Sequence, residues 1–169
     1  MNLYSKKLIL IALSAALFAG CTKQDKNSGP NPLSDIYPAI PVTVQNAADY
    51  RPEPTVTTPL ATGAIQIVLS IPSGSGRTIK EITRVVGSTS YAALQNPSTA
   101  NYIAAPIAGS GTTATFNTSI AEYFVKYPIN PTLNPAAKAN TELTNRYYFL
   151  ITLDDGTTII SNPVRVLVL

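Results

Sequence analysis

The chain has 169 residues, 45% of them hydrophobic and only 12% charged, with 12 Lys and Arg, 9 Asp and Glu, one cysteine and no histidine. Without histidine there is no Ser-His-Asp triad, and the commonest general base and zinc ligand are missing; a lone cysteine excludes an internal disulfide. The charges are scattered rather than gathered into the basic face that a nucleic-acid binder needs, while 14 prolines and abundant Thr, Ser and Asn point to a β-rich extracellular domain.

Lys6 and Lys7 precede an apolar run from Leu8 to Phe18, which ends in Ala19-Gly20-Cys21. A basic start, a short apolar middle and small residues before the cut form a secretory leader over residues 1–20. The run is too short for a bilayer, which takes about 20 apolar residues. Removing it leaves ten basic against nine acidic residues, a net charge near +1. Residues 21–35 are polar, with Gly and Pro and little to bury, and are read as a flexible tether. The remainder, 36–169, suits a single domain.

Phe18-Ala19-Gly20-Cys21 resembles the lipobox of bacterial lipoproteins. The resemblance implies cleavage before Cys21, a diacylglyceryl thioether on its sulfur and acylation of its amine, a combination of chains that anchors stably where one chain would not. Thr22 stands where many enteric-type lipoproteins carry an inner-membrane retention aspartate. Lys23-Gln24-Asp25 is similar to the acidic surface-export signal of Bacteroidetes lipoproteins, with Gln24 interrupting the acidic pair. The expected location is the outer membrane, on either its surface or its periplasmic face.

Pro38, Pro41, Pro52, Pro54 and Pro59 confine 36–60 to edge pieces, one near 40–46 and one at Thr55–Thr58, with a turn at Asn46–Asp49. From Ala64 to Ile71 the residues Ile65, Ile67, Leu69 and Ile71 alternate with Gln66 and Ser70, which predicts a core strand. A loop at Pro72–Gly76 leads to Thr78–Val86, rich in β-branched residues and predicted as a bulged strand. Gly87–Pro97 is a polar connection carrying Tyr91. Weaker strands are predicted at Asn101–Ile107 and Thr112–Phe116, with a turn at Ala108–Gly111.

Ser119 and Glu122 have capping-box spacing. Ile120, Tyr123, Phe124 and Tyr127 follow at helical intervals and Pro128 stops the run, which predicts a short helix across one end of the sheets, its tyrosines read as a packing face ahead of a ligand platform. Residues 128–144 form the longest irregular stretch, with a single helical turn expected from Asn134-Pro135 to Lys138; they read either as a functional loop or as a linker between sheets. Tyr147, Phe149, Ile151 and Leu153 predict a strand from Arg146 to Leu153, Asp154-Asp155-Gly156 a hairpin turn, and Thr157–Ser161 the return. After Asn162-Pro163 a last strand runs from Val164 to Leu169.

About seven short strands with turn signals predict an all-β antiparallel sandwich with one short helix. Arg146–Gly156 and the strand after it look like the closing hairpin of immunoglobulin-like and fibronectin-III-like domains, with Tyr147 or Tyr148 near the place of their tyrosine corner. Leader, tether and sandwich together resemble small surface lipoproteins of Bacteroidetes, often found beside glycan-uptake systems. That resemblance implies a non-catalytic, membrane-anchored binding module for a polysaccharide or an outer-membrane protein, with Tyr91, Tyr102, Tyr123 and Tyr127 as stacking residues. The alternative is a structural or adhesion subunit assembled by strand pairing, for which Val164–Leu169 is the strand to watch. No cofactor, metal ion or nucleic acid is expected: Asp154 and Asp155 sit alone on a turn, without a calcium loop's alternating oxygen ligands.

Overall fold

The computed structural model describes residues 39–49 and 51–169; the leader, Cys21, the tether and Tyr50 lie outside the described residues. Strands β1 (Thr43–Val44), β2 (Thr55–Thr58), β3 (Ala64–Ser70) and β4 (Ile79–Ser88) come first, then helix α1 (Ala92–Gln95). Strands β5 (Ile107–Ala108) and β6 (Thr113–Ser119) follow, then helix α2 (Ile120–Lys126). The chain closes with β7 (Thr141–Glu142), β8 (Arg146–Leu153), β9 (Thr158–Ile160) and β10 (Arg165–Val168).

These form an all-β sandwich. One sheet has the order β1-β3-β6; the others are β5-β4-β8-β9 and β2-β10-β7. The last two are joined where Tyr147 and Val164 exchange both main-chain hydrogen bonds at 2.9 Å. β7 with β8, and β9 with β10, are therefore two arms of one long hairpin, interrupted on its return arm by Asn162-Pro163. The opening strand is divided: β1 pairs with β3, and after Pro52 and Pro54 the chain crosses so that β2 pairs with β10. A proline cannot donate to a ladder, so the pairing must stop where the chain changes sheets. Among the described residues no strand lies beyond β6 in the first sheet.

The core is built from the alternating rows. Ile65, Ile67, Leu69 and Ile71 face Tyr147, Phe149, Ile151 and Leu153 across the sandwich, with Ile79, Ile82, Val85, Phe116, Val164, Val166 and Val168 between them, all buried. Burial of each such side chain is worth roughly 1.5–3 kcal/mol. The expected bulges in β4 are present as register shifts between Ile79 and Glu81 and between Ile82 and Arg84. Gly156, at φ +83°, makes the turn from β8 to β9, as the Asp-Asp-Gly sequence requires.

Several expectations are corrected. The described residues hold ten strand segments and two helices rather than about seven and one, because several pairings are only two residues long. The β2–β10 pairing is parallel, not antiparallel. Of Asn101–Ile107 only Ile107 lies in a strand, β5; Tyr102 is drawn down into the core instead. The polar connection holds α1, which covers a small second cluster of Val86, Leu94 and Tyr148 on the outer face of β4 and β8. The Arg84 guanidinium donates to the carbonyls of Leu94, Asn96 and Thr99 at 2.9, 2.8 and 2.5 Å, satisfying the carbonyls at the end of this one-turn helix. No helical turn forms at Asn134–Lys138; Asn130 and Asn134 bridge across a tight turn.

Candidate functional site at the α2 end

The end of the sandwich where β3 begins and β4 and β6 finish is closed by α2. Ser119 caps it, its hydroxyl accepting the Glu122 N–H at 3.0 Å. The Glu122 carboxylate accepts from Thr118 Oγ1, so the capping box is made by half. The helix reaches both sheets. The Ile120 N–H donates to the Gly63 carbonyl at 2.8 Å, and the Tyr127 hydroxyl accepts the Gly87 N–H at 2.7 Å. A Cβ on Gly87 would stand 2.5 Å from the Tyr127 ring, so the tyrosine lies down only because position 87 has no side chain.

Beneath the helix is an aromatic cluster. Tyr102 meets Phe116 and Tyr147 edge to face at 5.6 and 5.4 Å between centroids, and Tyr123 and Tyr127 lie 5.3 Å apart. The Tyr102 hydroxyl bonds Thr118 Oγ1 at 2.7 Å. The Tyr123 hydroxyl donates to Asn134 Oδ1 at 2.9 Å and accepts the Asn145 N–H at 3.0 Å. Buried Asn134 in turn donates through Nδ2 to the Tyr127 carbonyl at 2.7 Å. The tyrosine-corner expectation at Tyr147 or Tyr148 is thus corrected. Tyr147 is fully buried with its hydroxyl unpartnered, and Tyr148 packs on the outer face; it is Tyr123, from α2, that ties the start of β8. Burial raises the phenol pKa of Tyr102, Tyr123 and Tyr127, and of Tyr147 most strongly.

The sugar-stacking set is corrected as well. Tyr102 and Tyr123 are core residues with no face in solvent, and Tyr127 is half-buried against Gly87. Tyr91 alone stays accessible, edge-on to Tyr148 at 4.8 Å. Helical spacing had marked the α2 tyrosines as a face; which way the face turns depends on what it covers.

What the α2 end does present is aliphatic. Val125 (78% exposed), Leu133 (72%) and Ile129 project from the helix and from the turn that Asn134 pins, with Leu60 and Leu169 exposed on the same end. The 59–63 turn is held there by bonds from Gly63 N–H to Pro59 and from Leu60 N–H to the Leu169 carbonyl, both 2.8 Å. The Lys126 ammonium lies 5.7 Å from the Tyr102 ring centre. The sequence carried a signal for this surface, an aliphatic residue on the polar side of the predicted helix and two more in the proline-rich stretch.

The opposite end, formed by the 71–78, 109–112 and 154–157 turns, is polar. Arg77 pairs with Asp154 and Asp155. The Thr157 N–H, 2.9 Å from Asp155, holds that carboxyl below its ordinary pKa, with Arg77 adding to the effect. These carboxylates are therefore already engaged by protein cations and N–H groups. Between β1 and β2 a cleft of about 170 Å³ is lined by Val42, Val44, Pro52 and Pro54, with the Asp49–Arg51 ion pair beside it. It is smaller than the roughly 300–1,000 Å³ of small-molecule sites. Among the described residues no three His, Cys, Asp or Glu side chains come together as a metal-binding group, and no helix is long and apolar enough to cross a membrane. No family model, no curated protein and no solved structure matches the chain.

Proposed function

We propose that the protein is a non-catalytic outer-membrane lipoprotein, anchored through Cys21, whose sandwich is a binding module that meets an outer-membrane protein partner with its α2 end. One observation carries the choice of partner: Val125, Ile129 and Leu133 stand in solvent on a helix and turn held by the Tyr123–Asn134–Asn145 hydrogen bonds. A side chain ordered in advance loses less freedom on binding. Aliphatic groups favour an apolar protein surface. A polysaccharide would call for exposed aromatic faces, and Tyr102 and Tyr123 are buried. Assembly through Val164–Leu169 finds less support, because β10 has β2 on one side and β7 on the other.

The experiment has two arms in cells that make the full chain. Metabolic labelling with an alkyne fatty acid should mark the protein, and Cys21→Ser should abolish the label; a labelled Cys21→Ser chain would sink the anchor. A photo-cross-linker at position 133 should give one defined adduct that is lost on Val125→Ser with Ile129→Ser, while a cross-linker at position 156 gives none. Equal adducts from both positions would reject the α2 end as the contacting surface.

A further inference from the structure

A second surface lies on the outer face of β4 and β8, beside the place where the two sheets are joined. Tyr91, just ahead of α1, stands 4.8 Å from Tyr148 between ring centres, with the ring planes at 67°. An edge-to-face contact of this kind occupies at most one face of a ring, and Tyr91 is 44% exposed, so aromatic surface is left in water. The segment that carries the ring is fastened. Arg84 ties the carbonyls of Leu94, Asn96 and Thr99 to β4, and the Ser88 and Ser90 hydroxyls accept the Ser90 and Ala92 N–H groups at 3.2 and 3.3 Å. A ring ordered in advance loses little freedom when it binds.

The charges beside it are already paired. Arg146 lies two residues before Tyr148 and so on the same side of β8. It meets Glu53 at 3.3 Å, both side chains 38% exposed. Glu53 also faces Arg165 at 3.9 Å, and Arg165 meets Glu142 at 3.3 Å. Arg146 acts on the Tyr148 phenol, and Glu53 on the phenols of both Tyr91 and Tyr148, which sets the ion pair alongside the two rings. Two arginines against two glutamates leave the strip without net charge. An anion or a cation would have to break one of these pairs in order to bind. A neutral ligand would not, because the guanidinium has more N–H groups, and the carboxylate more acceptor positions, than their one bond uses. Of two neighbouring hydroxyls, one can accept from Arg146 while the next donates to Glu53.

We propose that this strip is a saccharide subsite, in which a neutral pyranose lays its C–H face on the Tyr91 ring and sets two adjacent hydroxyls against Arg146 and Glu53. The ring asks for an apolar face, and the intact ion pair asks for uncharged groups that donate and accept side by side. No amino-acid side chain combines the two, so the chemistry selects a sugar over a peptide. The subsite belongs to the face of the sheet, and it stands whether or not the α2 end meets a protein.

The test is an amide NMR titration of the full mature chain, made soluble by Cys21→Ser, with cellotetraose and with maltotetraose, both neutral pyranose chains. Saturable shifts are expected for the amides of residues 90–93 and 146–148, with a dissociation constant in about the millimolar range. Tyr91→Ala should raise that constant at least about tenfold, whereas Tyr91→Phe, which keeps the ring face, should hold it within about twofold. Arg146→Gln, which removes the guanidinium, should raise it about fivefold. Leu133→Ser, at the α2 end, should change nothing, and tetra-aspartate and tetralysine should give no saturable shift at these amides. Thermal transitions check that each variant is folded. The absence of saturable shifts with both saccharides, binding indifferent to Tyr91→Ala, or tighter binding of either charged peptide at the same amides would each overturn the proposal.

Discussion

The two ends of the sandwich are built on different chemistry. At the hairpin end, turns are short, Gly156 supplies the positive φ, and Arg77 with Asp154 and Asp155 stays in water. At the α2 end, tyrosine rings fill the gap between the sheets and a buried asparagine fastens a long loop. A sandwich can close an end by turning the chain quickly, or by plugging it. The plug costs more residues and hides polar atoms that must then be paired, but it also lets the loop above it be held in one shape.

The contrast can be broken most severely at Tyr123. Tyr123→Ala removes a fully buried ring and should cost about 3–5 kcal/mol in denaturant unfolding. A loss under about 1 kcal/mol would mean that the plug is not part of the core. Conservative variants sharpen the point. Tyr123→Phe strands the Asn134 side chain and the Asn145 N–H and should cost about 1–3 kcal/mol, whereas Tyr147→Phe deletes a hydroxyl that has no partner and should be neutral or stabilising by up to about 1 kcal/mol. Equal losses from the two would show that Tyr147 does have a partner.

The ends should also fail at opposite extremes of pH. Tyr102, Tyr123, Tyr127 and Tyr147 have folded-state pKa values raised above 10.0, chiefly by burial. The folded chain holds these protons more tightly than the unfolded one, so their contribution is complete below pH 10 and is lost as pH rises above it. Asp155 has the reverse sign. Its pKa is lowered from 3.8, so its contribution is complete above that value and is lost as pH falls through the folded-state pKa. Unfolding followed across pH should therefore show the larger loss on the alkaline side, reduced in a Tyr147→Phe chain; a profile flat beyond pH 10 would contradict the burial of the phenols. The smallest effect belongs to Arg77→Ala. Its ion pairs are solvent-exposed, and the thermal midpoint should scarcely move in ordinary salt.

How legible each region was follows the same division. β3, β8 and β10 announced themselves through alternation, because one face of each is core and period two records that directly. α2 was marked by Ser119, Glu122 and Pro128. The hairpin end was read from Asp-Asp-Gly. What escaped notice depends on partners distant in the chain. α1 is one turn long, too short for a period, and rests on Arg84 from β4. Tyr102 lies in a segment rich enough in apolar residues to pass for a strand, yet a single ring is all that it lends to the core. Asn134 looked like a loop residue; its burial is visible only once Tyr123 is above it. Tyr123 packs, as the helical spacing indicated, and is not the stacking residue that the resemblance implied, since tyrosine serves equally well to pack and to bind.

The division of the opening strand has a kinetic consequence. β2 pairs with β10, so Thr55–Thr58 wait for Arg165–Val168, partners 110 residues further along. Contacts of such separation must overcome loop closure before they return any stability, and sheets that depend on them fold slowly. During synthesis Arg165–Val168 must emerge before the second sheet gains its outer strand. For the exported lipoprotein proposed above, such late closure would keep the chain unfolded until threading is done.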